Sequence, residues 1–381
     1  MNHAAASVEP FYAVEINRLA NERARNGQPV IHMEVGQPSA GAPRAAIDAG
    51  HRALTGANHG YWESSALRER IAALYGQRYD LGPSYSRIML TVGASGALVL
   101  SLALMFEQGA RVALARPGYP AHRNVLRAIG LRPVELDCGP ESRFQPTAAM
   151  IATLDPAPAG LILTSPSNPT GTMLERSELQ QLAGVCRARG IRIISDETYH
   201  GITFGQPAHS MLEFEDDAVV VNSFSKYWCM TGWRLGWAVV PESLIDAMNR
   251  YSANLFLAPP TLAQHVALAA MDEQAELDAH VATYARNREL LMSALPGLGI
   301  TRMAPVDGAF YVYADVSHLT RDSLAWCREL LEATGVALNT GRDFDTVHGG
   351  NFIRLSFAVS TPEILKALEL LGGWLRRRRE A

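Results

Sequence analysis

Short apolar, β-branched runs alternate with helix-patterned stretches along most of this chain, and no other feature constrains its fold as much. Val30 to Val35 reads as a strand ending at Gly36, and Arg87 to Val92 as a second strand running into Gly93. Ala97 to Phe106 then has a helical texture. Arg111 to Ala115, Gly160 to Thr164, Ile191 to Ser195, Ala218 to Val221 and Leu235 to Val240 follow as short strands, with helices such as Glu178 to Arg189 between several of them. The alternation predicts a mostly parallel sheet covered by helices on both faces, a three-layer α/β/α large domain. Ligands of such sheets sit at the carboxyl ends of the strands. After about Ala270 the texture changes: a helical stretch from Asp272 to Leu295 leads into Pro305 to Val316 and Val336 to Ala358. That part reads as a smaller α+β domain joined by the N-terminal segment. The expected division is a large domain over 41–275 and a small one from 1–40 and 276–381.

The 381 residues, 48% hydrophobic and 19% charged, are enough for two such domains. A formal net charge of -4 gives no global pull toward nucleic acid. The basic run Arg376 to Arg379 continues a terminal helix that begins near Thr361. Cys138, Cys186, Cys229 and Cys327 are scattered, with no CxxC and no Cys/His metal spacing. Reduced thiols in a cytoplasmic protein without a metal site are therefore expected. The first residues lack a basic region followed by an apolar core, so no signal peptide is expected. No apolar run reaches the ~20 residues that span a bilayer, so no membrane partner is expected either.

The stretch from Ser223 to Gly236 carries the strongest chemical signal. It sets Lys226 after two serines, Ser223 and Ser225, and ahead of Arg234. An amine among hydroxyls and a second cation suits a Schiff base to a phosphorylated aldehyde, with Arg234 and the serines holding the phosphate. Arg234 also disfavours protonation of a buried Lys226, which favours the nucleophilic amine. Thr91 to Ala97 joins a strand to a helix start around Gly93, Ala94 and Ser95, where backbone N–H groups make an anion site. Asp196 closes the strand Ile191 to Ile194 and can pair with a protonated ring nitrogen, or it is a solvated loop acid. Tyr199 can donate to a phenolic oxygen on the same ring, or simply pack. Asn168 lies in the turn Thr164 to Gly171, where its amide can serve a ring oxygen and a substrate carboxylate. Tyr119 can stack on a flat ring and His122 can buttress Asp196; either alone also fits a packing role. Arg354 interrupts the apolar strand Asn351 to Phe357, which is costly unless a carboxylate pairs with it. A substrate or a structural Asp/Glu can supply that carboxylate.

These residues, in this order from Gly36 to Arg354, resemble the class I/II aminotransferases, pyridoxal-phosphate enzymes of fold type I. The resemblance implies an aminotransferase with pyridoxal 5'-phosphate as cofactor and Lys226 as Schiff-base lysine and proton shuttle. Asp196 would pair with the pyridine nitrogen, Tyr199 and Asn168 would contact the ring hydroxyl, and Tyr119 would stack on the ring. Ala94, Ser95, Ser223 and Arg234 would hold the phosphate. Arg354, with Gly36 and Asn168 nearby, would bind the substrate carboxylate. Tyr61 would reach the phosphate of the partner subunit, which implies a homodimer acting in amino acid metabolism. Two departures stand out. The segment from Tyr61 to Arg68 is shortened and lacks the family's glycine, and Asn339-Thr340-Gly341 stands where a Pro-Gly is usual.

Family members specific for dicarboxylates carry an extra cation, and the corresponding positions here are Ala253 and Ser95. Losing a charge-assisted bond to a second carboxylate costs about 1.5–3 kcal/mol. The expected donor is thus apolar or aromatic rather than aspartate, with Phe256, Leu257, Tyr12 and Trp237 as candidate contacts. The same scaffold also supports a C–S β-lyase. A pyridoxal-phosphate-binding regulator would need a DNA-binding module that about thirty-five residues before Gly36 cannot hold. A synthase joining an amino acid to an acyl thioester fits the Lys226 motif less closely.

Overall fold

The computed structural model describes residues 8–56 and 59–380. Seven strands form the main sheet: β2 (Ile88–Thr91), β3 (Arg111–Arg116), β4 (Arg132–Asp137), β5 (Gly160–Thr164), β6 (Arg192–Asp196), β7 (Val219–Ser223) and β8 (Gly236–Val239), placed after β1 (Ile31–His32) in the chain. Their spatial order is β2-β8-β7-β6-β5-β3-β4. Only β8 runs against its neighbours, pairing antiparallel with both β2 and β7. The remaining contacts are parallel, so the sheet is an α/β sheet of the expected kind.

The strands are short and largely buried, β7 and β8 in the middle of the sheet throughout their length. Strands buried on both faces need a layer of helix above and below. One layer includes the Gly93–Met105 helix, whose Leu98, Leu100 and Leu102 are all buried. The Arg176–Ala188 helix lies alongside β6 and buries Leu179, Leu182, Ala183 and Cys186. It starts at Glu175, whose backbone N–H donates to the Glu178 carboxylate at 2.7 Å, satisfying one of the donors that a helix start leaves open.

A second sheet has the order β12-β13-β10-β9, from β9 (Arg302–Met303), β10 (Tyr311–Asp315), β12 (Asn339–Thr340) and β13 (Phe352–Ser356). All its pairs are antiparallel. Separately, β1 pairs in parallel with β11 (Val336–Ala337), tying the N-terminal segment to the C-terminal part. The Gln274–Ala294 helix packs against the terminal Thr361–Glu380 helix. Among the described residues no helix is long and apolar enough to cross a membrane.

Candidate active site

The parallel strands all end on one side of the main sheet, and β8, running the other way, begins there. Gly236 is the register partner of both Thr91 and Ser223. That pairing brings three chain segments together: Ala94 and Ser95 after β2, Ser223 to Lys226 after β7, and Arg234 just before β8. Asn168 follows β5, Asp196 closes β6, and Tyr119 follows β3. The result is a cavity of about 430 Å³ lined by Gly36, Ala94, Ser95, Tyr119, Asn168, Asp196, Tyr199, Ser223, Lys226, Arg234 and Arg354. His122 also lines it. All the predicted site residues except Tyr61 therefore meet in one place.

Lys226 Nζ donates to the Gly36 carbonyl at 2.5 Å. Burial, then the nearby Arg354 and Arg234 guanidinium groups, lower its pKa to about 8, against a smaller opposing pull from Asp196. The Asp196 carboxyl is subject to an upward push from burial, but hydrogen bonds outweigh it and hold the group below its ordinary range. His122 Nε2 lies 3.0 Å from one carboxylate oxygen, and the Thr198 hydroxyl and N–H donate to the other at 2.5 and 3.1 Å. Asp196 is thus an anion held in place, not a solvated loop acid. Tyr119 stands edge-on to His122, with ring centroids 5.3 Å apart.

Arg354 is only 3% exposed, yet among the described residues it pairs with no carboxylate. Its Nη1 donates to Asn168 Oδ1 at 2.9 Å and its Nη2 to the Glu34 carbonyl at 2.6 Å. Its Nε is buried without a partner. The guanidinium carbon sits 4.4 Å from the Tyr311 ring centroid and 4.8 Å from that of Phe344. Since Arg354 uses the Asn168 oxygen, the Asn168 NH2 is the group left to donate elsewhere. The Tyr199 hydroxyl lies 2.6 Å from that of Tyr311.

A phosphorylated pyridine aldehyde suits this donor set. The phosphate end has the Ser223 and Ser225 hydroxyls, 2.8 Å apart, the start of the Gly93–Met105 helix, and Arg234. Arg234 makes no ion pair among the described residues; its Nη1 donates to the Thr231 carbonyl at 3.0 Å. Glycines keep the cradle open. A Cβ on Gly93, whose φ is +68°, would lie 2.7 Å from Arg234 Nη2, and one on Gly236 would lie 2.7 Å from Ala94 N. At the other end stand the Asp196 anion for a ring nitrogen, Lys226 for the aldehyde, and the unpartnered Arg354 Nε for a substrate carboxylate.

Tyr61, expected to reach the phosphate of a partner subunit, lies outside this chain's own cavity and is 84% exposed. The expected apolar contacts do not hold: Phe256, Leu257, Tyr12 and Trp237 do not line the cavity. Trp237 is on a central strand and is buried against Tyr75, to which its Nε1 donates at 3.2 Å. Tyr12 faces a separate cleft beside Arg321 and Arg342, because it opens a helix and neighbouring residues there point to different sides. Phe256 packs under the Gly93–Met105 helix region, and Leu257 is exposed. The apolar wall comes instead from Phe11, Val14, Val35, Leu98 and Val125. Sequence reasoning missed Thr198 and Tyr311. Thr198 lies within a motif already singled out. Tyr311 sits in an apolar strand and reads there as core.

The family of class I and II aminotransferases matches residues 28–371. A valine–pyruvate aminotransferase of Mycobacterium tuberculosis is 46% identical over 377 residues, covering 97% of each chain. An aspartate/prephenate aminotransferase of Thermus thermophilus is 30% identical over 372 residues, covering 95% of each. The crystal structure of an aminotransferase from Mycobacterium tuberculosis superposes with a TM-score of 0.96 at 44% identity, covering 99% of both chains. The chain belongs to the class I and II aminotransferases, a pyridoxal-phosphate-dependent family, and has their fold.

Proposed function

From that membership we propose a narrower activity: transfer of the amino group of an apolar L-amino acid, valine foremost, to a 2-oxo acid such as pyruvate. The observation that carries it is the charge inventory of the cavity. The cations lining it are Lys226, Arg234 and Arg354, and His122 is engaged with Asp196. With Arg234 assigned to the cofactor phosphate and Arg354 to the α-carboxylate, the lining leaves no further cation for a second substrate carboxylate. The valine–pyruvate enzyme of Mycobacterium tuberculosis supports the same choice.

Pyridoxal phosphate, when bound, supplies an aldehyde for the amine and a ring that takes up the electron pair left at the donor's Cα. Lys226 is the amine that would hold it. Its lowered pKa keeps a usable fraction neutral near pH 8, so that Nζ can take the Cα proton and return it. Asp196 is anionic and fixed by His122 and Thr198, which suits it to keep a ring nitrogen protonated. Arg354 binds the α-carboxylate through Nε and its remaining N–H groups, while Asn168 fixes the guanidinium. Tyr119 covers the ring face, and Tyr199 and the Asn168 NH2 are the donors for the ring oxygen.

We place the reaction in a cytoplasmic homodimer. The four cysteines are free and buried, which suits a reducing compartment. Leu54, Tyr61, Tyr251, Leu255 and Leu257 are large apolar side chains left exposed on this protomer. The Tyr61 region is held near residue 261, where the Thr261 hydroxyl donates to the Gly60 carbonyl at 2.8 Å.

The test is a kinetic series of donors with pyruvate as acceptor, assaying both alanine and ammonia. Valine should lead aspartate by about 10–100-fold in kcat/KM, the worth of one charge-assisted bond. Aspartate ahead of valine would refute the specificity. Pyruvate and ammonia released from a cysteine S-conjugate with no oxo-acid acceptor would mean a C–S β-lyase instead.

A further inference from the structure

Tyr311 is fully buried on β10 and touches three parts of the site at once. Its hydroxyl lies 2.6 Å from that of Tyr199. Its ring lies under the Arg354 guanidinium at 4.4 Å. Its hydroxyl also stands 2.0 Å from where a Cβ on Gly36 would be, so position 36 accepts no side chain without moving Tyr311. The Gly36 carbonyl in turn accepts from Lys226. Tyr311 lines the cavity beside these groups, and the cofactor reading above gives it no role of its own.

Counting protons supplies one. Each tyrosine hydroxyl has one hydrogen to donate. If Tyr199 spends its hydrogen on Tyr311, it has none for a ring oxygen in the cavity. If Tyr311 donates to the Tyr199 oxygen, the Tyr199 hydrogen is free, and receiving a bond makes Tyr199 a stronger donor. No acid or base is needed; the two hydroxyl hydrogens only rotate.

We propose that Tyr311 is a positioning residue that donates into Tyr199 and thereby sets the strength with which Tyr199 holds the cofactor's ring oxygen. The inference rests on the cofactor reading above. With the cofactor held by Lys226, the ring oxygen would gain negative charge when the Lys226 nitrogen loses its proton, and a stronger donor at that oxygen would compensate that charge. Tyr311 therefore lowers the pH at which the proton is lost. Cooperative strengthening of about 10–30% per bond, applied to a charge-assisted bond, corresponds to about 0.1–0.6 of a pH unit.

The experiment titrates the absorbance of cofactor-loaded enzyme against pH in wild type, Tyr199→Phe, Tyr311→Phe and the double variant. Lys226→Ala identifies the lysine-dependent band. Tyr311→Phe should raise the midpoint by about 0.1–0.6 of a pH unit and Tyr199→Phe should raise it further. The double variant should match Tyr199→Phe, because Tyr311 acts through Tyr199. A wild-type midpoint in Tyr311→Phe, even with a raised KM from disturbed packing under Arg354, overturns the inference and leaves the cofactor reading standing. So does a Tyr311 shift that persists in the Tyr199→Phe background. A wild type with no lysine-dependent band overturns both.

Discussion

Lys226 is an amine enclosed in the same cavity as two guanidinium groups, and that has a cost for folding. Burial, Arg354 and Arg234 lower its pKa from 10.5 to about 8. Between those values the folded, cofactor-free chain binds fewer protons than the unfolded chain, so stability rises with pH there. The cost is complete below about pH 8 and is gone once the pH passes 10.5, and it amounts to at most about 3 kcal/mol. Lys226→Met should therefore stabilise the cofactor-free protein at pH 7, with an advantage that shrinks toward pH 10.5 in denaturant unfolding. An advantage independent of pH would remove the charge from the explanation. Arg354 was legible in the sequence because a charge in an apolar strand demands a partner, and Lys226 because it stands among hydroxyls ahead of a second cation. Tyr311 was not, since an aromatic in an apolar strand is ordinary core. Sequence left Asp196 open between a ring-nitrogen partner and a solvated acid; the His122 buttress it offered, 74 positions away, is in place in the structure.

At the scale of elements, the strands of the main sheet were legible because fully buried strands leave unbroken apolar runs, as in Gly160–Thr164. The edge strand Arg132–Asp137 was not, since its proline and charges mask the pattern and suit an edge. The expected strand from Val30 to Val35 survives only as Ile31–His32. Beyond it the backbone serves the site instead of a ladder: the Glu34 carbonyl accepts from Arg354 and the Gly36 carbonyl from Lys226. The reversal of β8 is also invisible in composition, yet it delivers Arg234 to the strand ends. That delivery depends on Gly236, because a Cβ there would lie 2.7 Å from the backbone of both Ala94 and Asn222. Gly236→Ala should cost about 1–3 kcal/mol in denaturant unfolding and weaken cofactor retention, since the phosphate cradle must open to admit the methyl. Unchanged stability and retention would show that the cradle tolerates the shift.

For the whole molecule, we propose the division into a large unit over 41–275 and a small one from 1–40 and 276–381, with the site between them. Contacts across that division are polar as well as apolar: Glu9 meets Arg123 and Arg127 at 2.8 and 2.7 Å, and Arg354 meets Asn168. We propose that the exposed apolar side chains around Tyr61 and Leu257 form part of the contact between two copies. Sedimentation should give a dimer, and Tyr61→Phe should leave it intact while lowering phosphate-dependent cofactor affinity about 10-fold, the effect of one charge-assisted bond. A monomer with full activity would contradict the shared site. Lys226 is proposed to hold the cofactor and pass the proton, which the absorbance of the pyridoxal-phosphate-loaded enzyme on adding valine tests in wild type and in Lys226→Ala. Wild type should show a lysine-dependent band that valine converts to the aminated form of the cofactor and pyruvate restores, with neither that band nor catalytic conversion in Lys226→Ala. A lysine-free variant that keeps the band and turns over valine would contradict it.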